Sequence, residues 1–261
     1  MKEYIKAMRL PACLFAGLIT FASFKLADSI AGSILPTLAT ILIFVATMVQ
    51  NDLRDCQNDR KKGKTFPYDH RQEFRVFAIA LWIIANGTGI ALAWQNPYYL
   101  VVAFTAILIG FVYSELQRVP FLSNGLVALG TASVAAYPIC DGKGSMVLWA
   151  LVSTMMLMIM VGMYSREILK DFDDKQIDQG HKWTLLQRYG EMRAWRLAVY
   201  LAVFLLIWTE PLTIIPLFKK KLHFIPIRGL LKNCPTQELT SETKLRLDIG
   251  LVIILLLFIL L

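Results

Sequence analysis

"MVQNDLRDCQNDRKKGK", residues 48–64, closes an apolar run, then places Asn51, Asp52, Asp55 and Asp59 within nine residues and follows them with Arg60, Lys61, Lys62 and Lys64. Three carboxylates at the lip of a hydrophobic segment need a setting, and the rest of the chain supplies it. Of its 261 residues, 56% are hydrophobic and the mean hydropathy is +0.54, above what a soluble domain of this length carries. Apolar stretches at 12–27, 34–50, 74–94, 98–113, 123–140, 146–165, 195–208 and 245–261 are each about as long as a bilayer crossing requires, roughly 17 to 25 residues. The first is expected to stay in the mature protein, because no small-residue cleavage site follows it and Lys25 and Asp28 lead straight to the next span.

A lipid-exposed backbone must satisfy its own hydrogen bonds, and the alternation of a membrane barrel is missing, so the fold class is all-α, a multi-pass transmembrane helical bundle forming one domain over 1–261. Lys2, Lys6 and Arg9, the basic run 51–75, Arg118, the 166–196 segment and Lys219–Lys221 lie on alternate connections. The opposite connections, at Asp28, 95–97, 141–144 and 209–211, are short and nearly uncharged. The positive-inside rule places the N-terminus and the basic set on the cytoplasmic face of a cell membrane. The net charge of +8 is then topology plus attraction to anionic membrane lipids, with no nucleic-acid module in view. Cys13, Cys56, Cys140 and Cys234 lack metal-ligand spacing and read as reduced, mostly buried small hydrophobes.

After the apolar run 146–163 comes "YSREILKDFDDKQIDQG", residues 164–180, where Asp171, Asp174 and Asp178 repeat the D-x2-D-x3-D spacing of Asp52, Asp55 and Asp59. On an α-helix, steps of three and four residues hold all three carboxylates of each set on one face. Two such stripes facing each other in a low-dielectric mouth would repel strongly, so a cation is expected among them. Carboxylates and an Asn amide suit Mg²⁺, which keeps several waters and completes its shell with substrate phosphates. Donors for phosphate stand beside the acids: Arg54, Arg60, Lys61, Lys62 and Lys64 near the first stripe, Arg166 and Lys170 near the second. Acid and base together suggest Mg²⁺ with a diphosphate.

The two stripes resemble the paired aspartate-rich motifs, N-D-x-x-D-x-x-x-D and D-x-x-D-x-x-x-D, of the UbiA superfamily of intramembrane prenyltransferases. "RLPACL" at 9–14, "YSELQRVPFLSN" at 113–124 and "KWTLLQRYGEMRA" at 182–194 are similar to further family segments, and the likeness extends over roughly residues 5 to 210. The second motif and the middle loop are worded most like the branch containing digeranylgeranylglyceryl phosphate synthase. Gln117 stands where the family usually has Lys, and the Arg-Pro that commonly follows the first motif is not recognisable in 62–72.

The resemblance implies eight to nine helices around a central, lipid-open cavity and Mg²⁺-dependent transfer of a prenyl group from an allylic prenyl diphosphate to a membrane-associated acceptor. It implies that Asn51, Asp52, Asp55, Asp59, Asp171, Asp174 and Asp178 hold metal, with Asp52, Asp55, Asp171 and Asp174 indispensable to catalysis. It implies further that Arg9, Arg60, Lys64, Tyr113, Arg118, Asn124, Arg166 and Lys170 bind substrate. The branch favours a lipid hydroxyl such as that of geranylgeranylglyceryl phosphate, with an aromatic ring of quinone biosynthesis as the alternative acceptor; no obligate protein partner is implied. An eighth helix is implied within 210–244, a stretch poor in apolar length.

Tyr113, Tyr137, Trp149 and Tyr164 offer cation–π shielding to a carbocation, or simple packing; Gly125, Ala128 and Ala132 read as close helix packing, and His181 as a loop residue. A divalent-cation transporter is the rival from another class: it accounts for the carboxylates, but not for the adjacent Lys and Arg, which would repel the ion. The single D-G-containing motif of CDP-alcohol phosphotransferases is missing, and the spans exclude a soluble prenyl synthase.

Overall fold

The computed structural model describes the chain apart from residues 1, 62, 64, 117, 118, 120, 174, 176–183, 210–235 and 261, and apart from the side chains of 58, 61, 114, 115, 206–209 and 238. Among the described residues every regular element is helical: α1 Lys2–Ala7, α2 Leu10–Leu26, α3 Ile30–Arg54, α4 Cys56–Lys61, α5 Phe66–Asp69, α6 Arg71–Gln95, α7 Tyr99–Glu115, α8 Leu122–Ser133 with a 3₁₀ extension Val134–Ile139, α9 Met146–Asp173, α10 Leu185–Tyr189, α11 Glu191–Thr209 and α12 Gln237–Leu260. The apolar stretches read from sequence fall on α2, α3, α6, α7, α8, α9, α11 and α12. Four of these segments, α3, α6, Leu122–Ile139 and α9, are long and apolar enough to cross a membrane, and α2 and Tyr99–Tyr113 are shorter apolar helices. The chain is an all-α membrane protein. The region where an eighth helix was expected lies mostly outside the described residues.

The chain divides into two compact units. The first comprises Met1–Glu115, Gly130–Met156 and Phe258–Leu261. In it α2 packs on α3, α3 on α6 and α7, and α2 also on the 3₁₀ segment. Successive helices run up and down. One end of the unit gathers Arg9, Asp52, Arg54 and Glu73; the other gathers Gly32, Gln95, Asn96 and Asp141. Tyr4 fastens α1 to α5 and α6 by packing against Phe66, Phe74 and Phe77 at ring separations of 5.0–5.9 Å.

Two prolines interrupt helices here, and the first interruption is repaired by a side chain. Pro36 lies inside α3 and has no N–H to offer the carbonyl of Gly32; Gln95 Nε2 donates to that carbonyl at 2.9 Å. Pro138 lies in the 3₁₀ extension, where bonds run to the residue three back, so its missing N–H leaves the Ala135 carbonyl without a ladder partner. The buried Thr20 hydroxyl reaches the Val134 carbonyl at 3.3 Å and lies 3.0 Å from the Thr40 hydroxyl. The expected uniform span over 123–140 is therefore an α-helix to Ser133 and a tighter 3₁₀ turn beyond it.

The second unit comprises Leu116–Leu129 and Leu157–Leu257. Helices approach most closely at Gly162 of α9, where a Cβ would lie 2.5 Å from Leu251 Cδ2 and 3.1 Å from Leu205 Cδ2. A side chain there would force the Leu251 side chain to move. Ser165 donates to the Ala198 carbonyl at 2.9 Å, and the fully buried Trp195 meets Phe172 edge-on. Gly190, at φ 86° and ψ 153°, makes the turn from α10 to α11 in a backbone region that side-chain-bearing residues avoid. Ala128 is buried, as expected for close packing, whereas Gly125 is half-buried and a Cβ there would meet only Tyr164, at an ordinary 3.8 Å, so this glycine is not required by a close approach.

Candidate functional site

The first acidic motif does not lie on one helix. α3 ends at Arg54, Asp55 forms the bend, and α4 starts at Cys56. Hydrogen bonds nevertheless run through the bend: Asp55 N–H donates to the Asn51 carbonyl, and Asp59 N–H to the Asp55 carbonyl, both at 2.8 Å. Asn51 and Asp52 thus occupy the last turn of α3, Asp55 the corner and Asp59 the short helix beyond. The D-x2-D-x3-D spacing fits a continuous helix equally well. Asp and Asn, however, cap and terminate helices because their side chains compete for backbone groups, and this stretch is dense in both.

Asp52 is 8% exposed, and Arg9 Nη2 donates to its Oδ1. Arg9 also points at Met48 Sδ, 3.8 Å away. It sits between α1 and α2 with φ 47° and ψ 47°. A non-glycine residue in the left-handed region costs on the order of 1–2 kcal/mol, so packing and the ion pair over-determine this conformation. Strain of this kind clusters at functional positions. Asp59 is also 8% exposed.

The flanking cations take separate places. Arg54 lies over the Phe111 ring, 5.7 Å from its centroid, and donates to the Phe111 carbonyl at 3.3 Å. Trp82 stacks on Phe111 and donates its indole N–H to Gln50, one residue before the motif. Arg60 lies over Tyr68 at 4.5 Å. Tyr113 is half-buried near the end of α7. Lys64 and Arg118 lie outside the described residues. Among the described residues, no three His, Cys, Asp or Glu side chains gather as a ready metal site.

In the second unit, Asp171 lies on the last turn of α9 and accepts a hydrogen bond from Asn124 Nδ2 at 3.0 Å. Asn124 is 7% exposed, and the Ser123 hydroxyl donates to its Oδ1 at 3.4 Å, leaving the amide N–H for the carboxylate. The buried Glu167 pairs with Arg166 at 3.2 Å and Lys170 at 3.5 Å. Arg166 also donates to Asp248 on α12 at 2.8 Å, and Lys244 pairs with Asp173 at 3.0 Å. Asp174 and Asp178 lie outside the described residues.

The donor sets are carboxylates with an amide beside them, all hard oxygen ligands. Such a set fits Mg²⁺, which binds through one or two protein carboxylates and takes the rest of its shell from water and phosphate, and it does not fit a soft thiolate-seeking ion. The sequence reading missed Trp82, Gln50, Glu167, Lys244 and Asp248 as neighbours of the motifs. For Asp248 a signal existed: a lone acid inside the apolar stretch 245–261 needs a partner.

Long apolar helices that end in carboxylates held by Arg9 and by Asn124 mark an integral-membrane protein with acidic helix ends. The chain matches the UbiA prenyltransferase family over residues 10–230, most of its length, and belongs to that family; it is a prenyltransferase. No curated protein sequence matches it at a significant level. A solved structure described as a digeranylgeranylglyceryl phosphate synthase in membranes superimposes with a TM-score of 0.69, covering 99% of this chain and 97% of that one at 22% identity, which shows a shared fold.

Proposed function

We propose that the protein transfers a prenyl group from an allylic prenyl diphosphate to the hydroxyl of a polar lipid such as geranylgeranylglyceryl phosphate, with Mg²⁺. The observation that carries this reading is Asp52: a nearly buried carboxylate on the last turn of an apolar 25-residue helix, already held by a guanidinium. A carboxylate with Arg9 beside it can bind a cation and the anion that cation carries. Family membership supplies the prenyl transfer, and the likeness to a digeranylgeranylglyceryl phosphate synthase, with motif wording of the same branch, supports the lipid acceptor.

On this reading Asn51, Asp52, Asp55 and Asp59 hold metal from the first motif and Asp171, Asp174 and Asp178 from the second. When bound, Mg²⁺ supplies positive charge to a departing diphosphate. The chain contributes the rest. Arg9, Arg60, Lys64, Arg118 and Lys170 donate to diphosphate oxygens, where charge-assisted bonds strengthen as the allylic C–O bond ionises. Asn124 orients Asp171. Tyr113 would offer its ring to the allylic cation, and the apolar helices would keep water from quenching it. The acids bind charge and move no protons.

The motif end faces the cytoplasm: in the first unit Lys2, Lys6, Arg9, Arg54, Arg60, Arg71 and Arg75 flank helix ends on that side, and the opposite connections carry Lys25, Asp28, Asp141 and Lys143. Purified protein in nanodiscs, incubated with Mg²⁺, labelled geranylgeranyl diphosphate and a panel of acceptors, tests the proposal by mass spectrometry of the products. Prenylated geranylgeranylglyceryl phosphate is the expected product. Transfer only to 4-hydroxybenzoate, homogentisate or a naphthoate would overturn the lipid acceptor, and no Mg²⁺-dependent transfer at all would overturn the mechanism.

A further inference from the structure

The family resemblance implies a substrate role for Arg166, yet its guanidinium is occupied on two sides. Nε donates to Asp248 at 2.8 Å and Nη1 to Glu167 at 3.2 Å. Glu167, 6% exposed, also accepts from Lys170. The row Asp248, Arg166, Glu167, Lys170 alternates in sign and balances. Withdrawing Arg166 to meet a diphosphate would strip a partner from a buried carboxylate, the costly direction for a buried pair. Arginine suits the post because separate N–H groups of its planar fork serve two carboxylates at once.

Asp248 belongs to α12, which begins at Gln237, past the end of the family match at residue 230. Three contacts fix α12 antiparallel to α9 in one register: Leu251 against Gly162, Asp248 against Arg166, and Lys244 against Asp173. The last two straddle the stretch of α9 that carries Glu167, Lys170 and Asp171.

We propose that Arg166 and Asp248 are a positioning pair: together they set the rotation and reach of the last turns of α9 so that Asp171 and Lys170 meet the reactants, and Arg166 itself does not touch substrate. This rests on the prenyl-transfer reading above.

The test compares Arg166→Gln, Asp248→Asn and Asp248→Glu with the double variant Arg166→Gln/Asp248→Asn in nanodiscs. Arg166→Gln and Asp248→Asn should each lower kcat on the order of 10-fold and raise the Mg²⁺ concentration for half-maximal rate, as loss of an outer-shell partner does. KM for the prenyl diphosphate should stay within about twofold, because uniform substrate binding is untouched. Asp248→Glu should retain most of the activity. Melting temperatures should show the two losses to be non-additive, as for residues in contact. A KM for prenyl diphosphate raised about tenfold in Arg166→Gln, with Asp248→Asn at wild-type values, would make Arg166 a substrate ligand and overturn the proposal. Wild-type protein that transfers no prenyl group counts against the prenyl-transfer reading instead; the melting cycle then still decides the pair, and additive losses overturn it.

Discussion

The two acidic motifs share a spacing, and the contacts described at each differ in kind. In the first unit Asp52 is held by a full positive charge, Arg9, reaching over from the start of α2. In the second, Asp171 takes a neutral amide, Asn124, and the nearby cations Arg166, Lys170 and Lys244 are engaged by Glu167, Asp248 and Asp173. An ion pair and an amide contact respond differently to perturbation. At the first motif a described ion pair meets the carboxylate itself, and around the second the described ion pairs join α9 to α12 beside it.

The largest effects should fall on the carboxylates. Asp52→Asn and Asp171→Asn are each expected to lower the rate of prenyl transfer on the order of 10²–10³-fold, as loss of a preorganised charge does. A large loss at only one of them would show that the two ends do not do the same work. Next is Arg9→Gln, which leaves Asp52 without its guanidinium. Arg9 is about one-third exposed, so the stability loss, read by thermal melting, should be about 1–2 kcal/mol, below that of a fully buried pair. It should nearly vanish in the Asp52→Asn background. Asn124→Ala, removing a hydrogen bond to a carboxylate, should cost about 1.5–3 kcal/mol and be insensitive to salt, in contrast to Arg9→Gln.

Smaller still is Trp82→Phe, which keeps the stack on Phe111 and deletes the indole donor to Gln50; about 1 kcal/mol is expected. The last prediction concerns the end opposite the first motif. Burial pushes the Cys140 thiol up to about 11. Its folded value lies above the unfolded one, so its contribution to stability is present below the unfolded pKa of 9.0 and fades as pH rises through about 11. A variant retaining only this cysteine should label slowly with maleimide at neutral pH and faster as pH approaches that range. Quenching by an impermeant reagent from the cytoplasmic side would reverse the orientation proposed above.

The membrane fold was legible because length and apolarity decide it locally: each apolar stretch became a helix, and α3 extended beyond 34–50 at both ends to Ile30 and Arg54. The break at Asp55 was not legible, since spacing of three and four is the same with or without a bend. The nearness of acids and bases in each motif was plain from sequence, but which base meets which acid was not. Arg9 finds Asp52 across 43 residues and Arg166 finds Asp248 across 82. Such pairings depend on helix register, which one sequence does not specify.

Two side-chain bonds to helix carbonyls, Thr20 to Val134 and Gln95 to Gly32, differ in the order in which the ribosome delivers their halves. For the Val134 carbonyl the donor comes first: Thr20 is made 114 residues earlier. For Pro36 the acceptor comes first, and the Gly32 carbonyl has no Gln95 until 63 more residues have been added. A hairpin of α2 and α3 alone is therefore unfinished, with a backbone oxygen that must keep to the wet margin of the bilayer. The α2–α3 pair acquires this partner for its Gly32 carbonyl only when α6 packs on α3.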